Sequence, residues 1–249
     1  MPGPEITVVA DAAALAEAAA DAFVEAATAA VAARGRFTVA LAGGSTPRTA
    51  YELLARPPRD RVVPWTQTHV FFGDERGVGP EHADSNYRMA HTALLAKVPV
   101  PSAQVYRVRG DAPDPEEAAA EYARTLADVF GTRRGELPRF DLVLLGIGID
   151  GHTASLFPGS PVLKEVFRTV AAVHATAAVI PQRFTLTLPV FNAAARVVVL
   201  ASGAEKAKVI RAALADKGTS LPPAMIAPPE GRLTWLLDRA AAALLPPTP

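Results

Sequence analysis

The chain has 249 residues, of which half are apolar, and its 25 basic and 25 acidic residues give a formal net charge of zero. This length suits one large α/β domain or two small ones, and a neutral chain has no bulk attraction to nucleic acid or to an anionic membrane. Because there is no cysteine, disulfides, thiolate metal sites and a cysteine nucleophile are excluded. The sequence shows neither a signal-peptide pattern nor an apolar run of membrane-spanning length, so we expect a cytoplasmic protein.

Short β-branched runs alternate with helix-like runs along the whole chain. The predicted strands are 6–9, 37–41, 69–72, 105–108, 141–145, 169–173, 184–188, 197–200 and 233–236. The predicted helices are 12–33, one that ends at 54, one capped by residues 84–86 and ending at 95, one from 115, one from near 205 and one from 238. Repeated strand–helix order predicts a mostly parallel sheet with helices on both faces. The Pro-rich stretches are predicted loops, so we expect residues 1–249 to form a single domain.

Four motifs follow predicted strands, at the end of the sheet where α/β proteins bind their ligands. The first is Gly43-Gly44-Ser45-Thr46-Pro47, in which the glycines allow close approach to the backbone, Ser45 or Thr46 can cap the next helix, and Pro47 suits its first turn. Free N–H groups at a helix start favour a bound anion. An ordinary strand–helix turn explains the same residues, and the lysine of a P-loop is absent, so this motif alone leaves both alternatives open.

The second motif, Gly73-Asp74-Glu75-Arg76, directly follows the apolar strand that ends at Phe72. Its carboxylates can transfer protons or anchor a ligand, and Arg76 can bind a phosphate or a carboxylate through two hydrogen bonds. The alternative is a solvated loop whose ion pairs contribute little. The position at a strand end favours a functional role.

The third motif is Asp150-Gly151-His152, which follows a near-continuous apolar run. Glycines 146, 148 and 151 match the G-x-G-x-x-G spacing of dinucleotide-binding proteins. However, no acidic residue closes the next strand near 170–173, and Pro158 stops any long helix, so a nucleotide site is disfavoured. A histidine presented by a glycine turn is well suited to accept a proton from water, and we predict that His152 is a general base rather than a structural histidine.

The fourth motif is a pair of basic residues, Arg183 before a predicted strand and Lys206 at a helix start. Lysine is unfavourable in the first turn of a helix unless an anion is bound there. A surface lysine beside Glu205 explains Lys206 equally well. The other histidines show no metal-ligand spacing and no G-x-S-x-G elbow is present, so we expect neither a metal site nor a serine hydrolase.

In combination, the motifs resemble the 6-phosphogluconolactonases, a family related to the glucosamine-6-phosphate deaminases and isomerases. The matching segments are Ala42-Gly-Gly-Ser-Thr-Pro, Gly73-Asp-Glu-Arg, Ser85-Asn86-Tyr87, Gly146 through Pro158, Arg183-Phe-Thr-Leu-Thr, Gly203-Ala-Glu-Lys-Ala and Trp235-Leu-Leu-Asp238. Each segment is short, but together they occur in the family's order and span nearly the whole chain.

The resemblance implies a Rossmann-like α/β domain that uses no cofactor. It also implies that this domain hydrolyses a phosphorylated sugar lactone in the oxidative pentose phosphate pathway. It implies that His152 activates water and that Asp74, Arg76 and Asp150 line the same pocket. It also implies a phosphate site made of Gly43, Gly44, Ser45, Thr46, Arg183 and Lys206. The catalytic residues are accordingly expected to be His152, Asp150 and Asp74. We expect no nucleic-acid or membrane partner, and a monomer or weak dimer.

Two departures distinguish the chain from the related deaminases. The deaminases have a motif like Asp-Glu-Tyr at the position where this chain has Asp74-Glu75-Arg76. They have Asn-Glu-Pro at the position where this chain has Leu156-Phe157-Pro158. Phe157 cannot transfer a proton as the deaminase glutamate does, whereas lactone hydrolysis needs only water, a base and charge stabilisation. We therefore expect a lactonase, with an amino-sugar phosphate deaminase/isomerase and a non-catalytic sugar-phosphate sensor as the alternatives.

Overall fold

The computed structural model describes residues 3–176, 178–216 and 218–246 of the chain. The strands are β1 (Glu5–Val9), β2 (Phe37–Leu41), β3 (Thr68–Phe72), β4 (Asp74–Arg76), β5 (Leu142–Gly146), β6 (Val170–His174), β7 (Gln182–Leu186), β8 (Arg196–Ala201) and β9 (Arg232–Asp238). Six of them form a parallel sheet in the order β1-β9-β8-β5-β2-β3. The other three form a smaller antiparallel sheet in the order β4-β7-β6.

Helices connect most of these strands. They are α1 (Ala12–Arg34), α2 (Ser45–Leu54), α3 (Arg59–Val62), α4 (Asn86–Ala90), α5 (Pro115–Phe130), α6 (Leu188–Ala193) and α7 (Ala207–Leu214). The helix α1 begins where the Asp11 side chain accepts a hydrogen bond from the N–H of Ala14 at 2.9 Å, and it ends at Gly35, whose φ is 71°. The predicted cap before α4 is confirmed, since Ser85 Oγ accepts from the N–H of Arg88. That helix continues into a π-helical turn, His91–Leu95.

Apolar side chains alternate between the two faces of the parallel sheet, as strand geometry requires. In β5, Val143 and Leu145 lie in the core on one face, and Leu142 and Leu144 lie in the core on the other. The first face is covered by α5, α7 and the small sheet, and the second by α1 and α2. The predicted α/β architecture, a mostly parallel sheet with helices on both faces, is therefore confirmed.

The small sheet was not expected from the sequence. The sequence predicted strands near 169–173 and 184–188 within a mostly parallel architecture, and it did not show that they form a separate antiparallel sheet. Only residues 175–181 separate β6 from β7, and a parallel crossover needs about a dozen residues or more. The short connection produces an antiparallel pair, to which β4 adds on the far side of β7.

Two predicted elements were wrong. Residues 105–108 do not form a strand, because only Val105 makes a bridge, to Val70 at the edge of the parallel sheet. The helix predicted from Asp238 is replaced by turns, since β9 runs through Asp238 and the Asp238 carboxylate then accepts a hydrogen bond from the N–H of Ala241 at 2.7 Å.

Candidate active site

A cleft lies at the carboxyl ends of β2, β3, β5 and β8, where loops from the two sheets meet. All but one of the residues predicted to bind phosphate or to take part in catalysis line this cleft. They are Gly43, Gly44, Ser45, Thr46, Asp74, Arg76, His152, Arg183 and Lys206. The remaining one, Asp150, does not line the cleft, but its side chain contacts His152. The structure therefore brings together residues that are up to 163 positions apart in the sequence, from 43 to 206.

The turn after β5 presents His152 to the cleft. Gly151 has a φ of 86°, a left-handed conformation that favours glycine. Gly148 lies directly under the imidazole, and a Cβ at this position would overlap the ring of His152 and the carboxylate of Asp150. The N–H of Gly148 donates to the His152 carbonyl oxygen at 2.8 Å. The glycines that resemble a nucleotide-binding pattern thus shape the turn that holds the histidine.

The His152 ring is held on two sides. Its Nδ1 lies 2.5 Å from Asp150 Oδ1, which also accepts a hydrogen bond from the backbone N–H of His152 at 3.2 Å. The ring of Phe157 packs against the imidazole with ring centroids 4.9 Å apart. Since a carboxylate only accepts hydrogen bonds, this contact places a proton on Nδ1 and leaves the lone pair on Nε2. With 34% of its side chain exposed, the histidine can reach solvent and a bound ligand.

The Asp74 carboxylate is buried and both of its oxygens are occupied. Oδ2 accepts from Ser155 Oγ at 2.7 Å, and Oδ1 accepts from Asn86 Nδ2 at 3.0 Å. Ser155 belongs to the same loop as His152, so Asp74 connects that loop to the start of α4. From the sequence, Asn86 was predicted only as part of a helix cap and of a matching segment, and Ser155 appeared only within a matching segment, because neither contact with Asp74 can be seen from spacing alone. A Cβ at Gly43 would overlap the Asn86 side chain, which explains the glycine there.

Glu75 stabilises the start of α4 and does not line the cleft. Its buried carboxylate accepts hydrogen bonds from the backbone N–H groups of Asn86 at 2.7 Å and Tyr87 at 2.8 Å, and from Ser85 Oγ at 3.0 Å. Burial raises the pKa of Glu75, although the backbone N–H groups oppose the shift. The charged residues Asp74, Glu75 and Arg76, predicted as one functional cluster, therefore have different roles, and that of Glu75 is to hold the start of α4 in place.

Two arginines lie side by side on neighbouring strands of the small sheet. Arg76 on β4 is directly opposite Arg183 on β7, an arrangement that is unfavourable for like charges. Burial, together with the charge of Arg76, lowers the pKa of Arg183. Arg183 Nε donates to the Ile180 carbonyl oxygen at 2.7 Å, while Arg76 Nε is buried without a partner among the described residues. An anion between the two guanidinium groups would neutralise their repulsion.

Two further features contribute positive potential. Lys206, half-buried in the 3-10 turn Ala204–Lys206 that precedes α7, has its pKa lowered by burial, against the opposing charges of Glu205 and Asp238. Across the cleft, α2 begins at Ser45, and its first N–H groups have no acceptor within the helix. The prediction that Ser45 or Thr46 caps this helix was wrong, because the cap position is Gly44, with a φ of 102°.

The family model of glucosamine-6-phosphate isomerases/6-phosphogluconolactonase matches residues 10–235 of the chain. The chain belongs to this family. A 6-phosphogluconolactonase of Synechocystis is 42% identical, over 88% of this chain and 89% of the relative. A probable chloroplastic 6-phosphogluconolactonase 3 of Oryza sativa is 41% identical, over 87% of this chain and 68% of the relative. The solved structure of 6-phosphogluconolactonase from Trypanosoma cruzi superposes with a TM-score of 0.88 at 34% identity, covering 98% of this chain and 97% of the other.

Within 3–176, 178–216 and 218–246, no group of three or more His, Asp or Glu side chains is arranged to hold a metal ion. Over the same ranges, no helix has the length and apolar character needed to cross a membrane.

Proposed function

We propose that this protein hydrolyses 6-phospho-D-glucono-1,5-lactone to 6-phosphogluconate, using a water molecule activated by His152. The observation that supports this most is that a histidine oriented by Asp150 lines the same cleft as three cationic side chains, those of Arg76, Arg183 and Lys206. Lactone hydrolysis requires a base for water and stabilisation of charge, and this substrate also carries a phosphate dianion that cationic side chains can bind. Relatives named 6-phosphogluconolactonase, at 41–42% identity, support the same substrate.

The proposed chemistry begins at His152 Nε2. This atom takes a proton from water, and the water oxygen forms a bond to C1 of the lactone. The tetrahedral intermediate then breaks the bond between C1 and the ring oxygen, which leaves with the proton returned from Nε2. Asp150 accepts the Nδ1–H bond throughout and stabilises the imidazolium that forms transiently. The products are the open-chain acid and the unchanged enzyme.

We propose that the phosphate binds between the cationic side chains and the start of α2. Arg76 and Arg183 repel each other in the free protein, and a dianion between them turns this repulsion into attraction. The first N–H groups of α2, at Ser45 and Thr46, add hydrogen bonds and the positive end of the helix dipole. Gly43 and Gly44 allow the ligand to approach the backbone without meeting a side chain. Lys206 completes the site from the turn before α7.

The geometry around His152 favours a lactonase over a deaminase. Phe157, in the position where the deaminases have a glutamate, packs on the imidazole with ring centroids 4.9 Å apart. It supplies an apolar contact and no proton. In our proposal Asp74 supports catalysis by holding the loop through Ser155 and by its negative charge beside the cationic groups.

The test is an assay in which glucose 6-phosphate and its dehydrogenase generate the lactone in situ. We expect the protein to accelerate acid release well above the spontaneous rate, and to release no ammonia from glucosamine 6-phosphate in a parallel assay. Acid release at the spontaneous rate would overturn the proposal. If 6-phosphogluconate nevertheless bound, the sensor alternative would be favoured, and ammonia release would favour the deaminase.

We further propose that residues 1–249 form a single domain that acts as a monomer or weak dimer in the cytoplasm, in the oxidative pentose phosphate pathway. A neutral chain without cysteine supports a cytoplasmic enzyme that does not bind nucleic acid. A single calorimetric unfolding transition and a sedimentation coefficient that increases little with concentration are expected.

Localisation of a tagged full chain would decide between the cytoplasm and an organelle, which matters because rice relatives are named as chloroplastic.

A further inference from the structure

We propose that Asp238 is a positioning residue that holds the turn between β8 and α7 so that Lys206 faces the cleft. Asp238 is the last residue of β9, next to β8 in the parallel sheet. It belongs to the Trp235–Asp238 segment, to which the chemistry above gives no role. The inference rests on the proposed function in one respect, namely that Lys206 binds the phosphate group.

The Asp238 carboxylate contacts the turn after β8 directly. It is 4% exposed, and Oδ2 accepts from Ser202 Oγ at 2.5 Å. Both oxygens accept from the N–H of Gly203, at 3.1 and 3.2 Å. A further contact at 2.7 Å, from the N–H of Ala241, fixes the carboxylate from the other side. One buried side chain thus determines where the Ser202–Gly203 peptide lies.

This peptide determines the position of Lys206. Gly203 has a φ of 101°, which few residues other than glycine adopt, so a specific contact is needed to hold the turn. The Gly203 carbonyl oxygen accepts from the backbone N–H of Lys206 at 3.2 Å. The hydrogen bonds therefore run in one series, from the Asp238 carboxylate to Gly203 and from Gly203 to Lys206.

The charges support the same assignment. Burial acts to raise the pKa of Asp238, but hydrogen bonds from Ser202, Ala241 and Gly203, with the charge of Lys206, outweigh it, and the net pKa is lowered. The carboxylate is therefore ionised at neutral pH. Burial lowers the pKa of Lys206, and the charges of Glu205 and Asp238 oppose this shift. Asp238 thus fixes the turn and also favours the ammonium form of the lysine.

The test is a double-mutant cycle on Asp238 and Lys206, read as the calorimetric dissociation constants of inorganic phosphate and 6-phosphogluconate. Asp238→Ala is expected to weaken both ligands by about tenfold, as for the loss of hydrogen bonds to a charged group. In a Lys206→Ala background the same substitution should have almost no effect, because the group through which it acts is gone. Asp238→Asn keeps an oxygen acceptor and should weaken binding by only about threefold.

Asp141→Ala is the matched control for general loss of an aspartate. Asp141 accepts from the Thr38 N–H at 2.8 Å and from Thr38 Oγ at 2.9 Å, at the amino end of β5, opposite the cleft. Its removal should lower the melting temperature without changing either dissociation constant. If Asp238→Ala fails to fold, the Asp238→Asn cycle takes its place.

Additive effects of Asp238 and Lys206, or unchanged binding in the Asp238 variants, would overturn the inference. Failure of the proposed function has a different signature. In that case the wild-type protein binds inorganic phosphate but shows no lactonase activity. The double-mutant cycle would then still test whether Asp238 acts through Lys206. Wild-type protein that binds neither ligand would overturn the inference as well.

Discussion

The histidine and the cationic residues of the cleft are assembled in different ways. Asp150 and His152, here called the histidine side, are two positions apart within a single glycine turn. Arg76, Arg183 and Lys206, here called the cationic side, come from three separate segments, and two of them are paired on neighbouring strands. The first side is a local unit, and the second exists only after two sheets have formed.

This difference suggests a division of roles. The histidine side controls a proton and has one orienting carboxylate, so its substitutions should act on the chemical step. The cationic side holds like charges close together, which favours the protein with a bound dianion over the free protein. Substitutions there should act on affinity.

The largest effect is expected for His152→Ala. Removal of a general base lowers kcat by about a hundredfold to ten-thousandfold, because no other side chain takes the proton from water. The KM should change little, since the phosphate contacts remain. Steady-state kinetics with lactone generated in situ measures both constants. A fall in kcat of less than about tenfold would show that His152 is not the base.

Lys206→Ala and Arg183→Gln should have the opposite pattern. Each removes a charged contact to phosphate and should raise KM by about tenfold to a hundredfold. The kcat should stay within about threefold of wild type, because the lost interaction is the same in the bound substrate and in the transition state. A variant in which kcat falls and KM is unchanged would contradict the division of roles.

Asp150→Asn should have a smaller effect on the histidine side. An amide at this position can present either its oxygen or its NH2 group to Nδ1, and in the molecules with the second orientation the imidazole proton moves to Nε2 and removes the lone pair that faces the ligand. We expect kcat to fall by about tenfold, with KM unchanged. The Asp150→Ala variant, which removes the contact and imposes no tautomer, should retain more activity than Asp150→Asn.

The smallest effect is a pH dependence on the cationic side. Burial lowers the pKa of Lys206 from its usual 10.5, so the ammonium charge is present below that lowered value and is lost as pH rises through it. The affinity for 6-phosphogluconate should therefore weaken at a pH below 10.5. In Lys206→Arg the decline should move to higher pH, because a guanidinium stays protonated up to a pH of about 12 or more. Calorimetric titrations over this pH range measure the shift, and an identical pH profile in both proteins would exclude Lys206 as its source.

The same contrast explains how much could be predicted from the sequence. The histidine turn is contiguous, so residues 146–152 show both the glycines and the groups they position. The parallel sheet was predicted because its strands are separated by helices. The small antiparallel sheet was not, since three-residue β4 resembles a charged loop, and the pairing of Arg76 with Arg183 depends on that sheet.

Polar contacts across long sequence separations were also beyond prediction. Ser155 and Asn86 hold Asp74 from two different elements, 81 and 12 positions away. The Glu75 carboxylate was predicted as part of a functional cluster, and only the fold shows that it lies at the start of α4. Residue types and strand ends identify the region of the cleft, whereas the direction of each side chain depends on tertiary packing.

The division of roles is tested most directly by calorimetric titration of 6-phosphogluconate into His152→Ala and Lys206→Ala side by side. We expect His152→Ala to bind within about twofold of wild type, because it loses only a proton acceptor, and Lys206→Ala to bind at least about tenfold more weakly. The reverse order, or equal weakening in both variants, would contradict the division of roles.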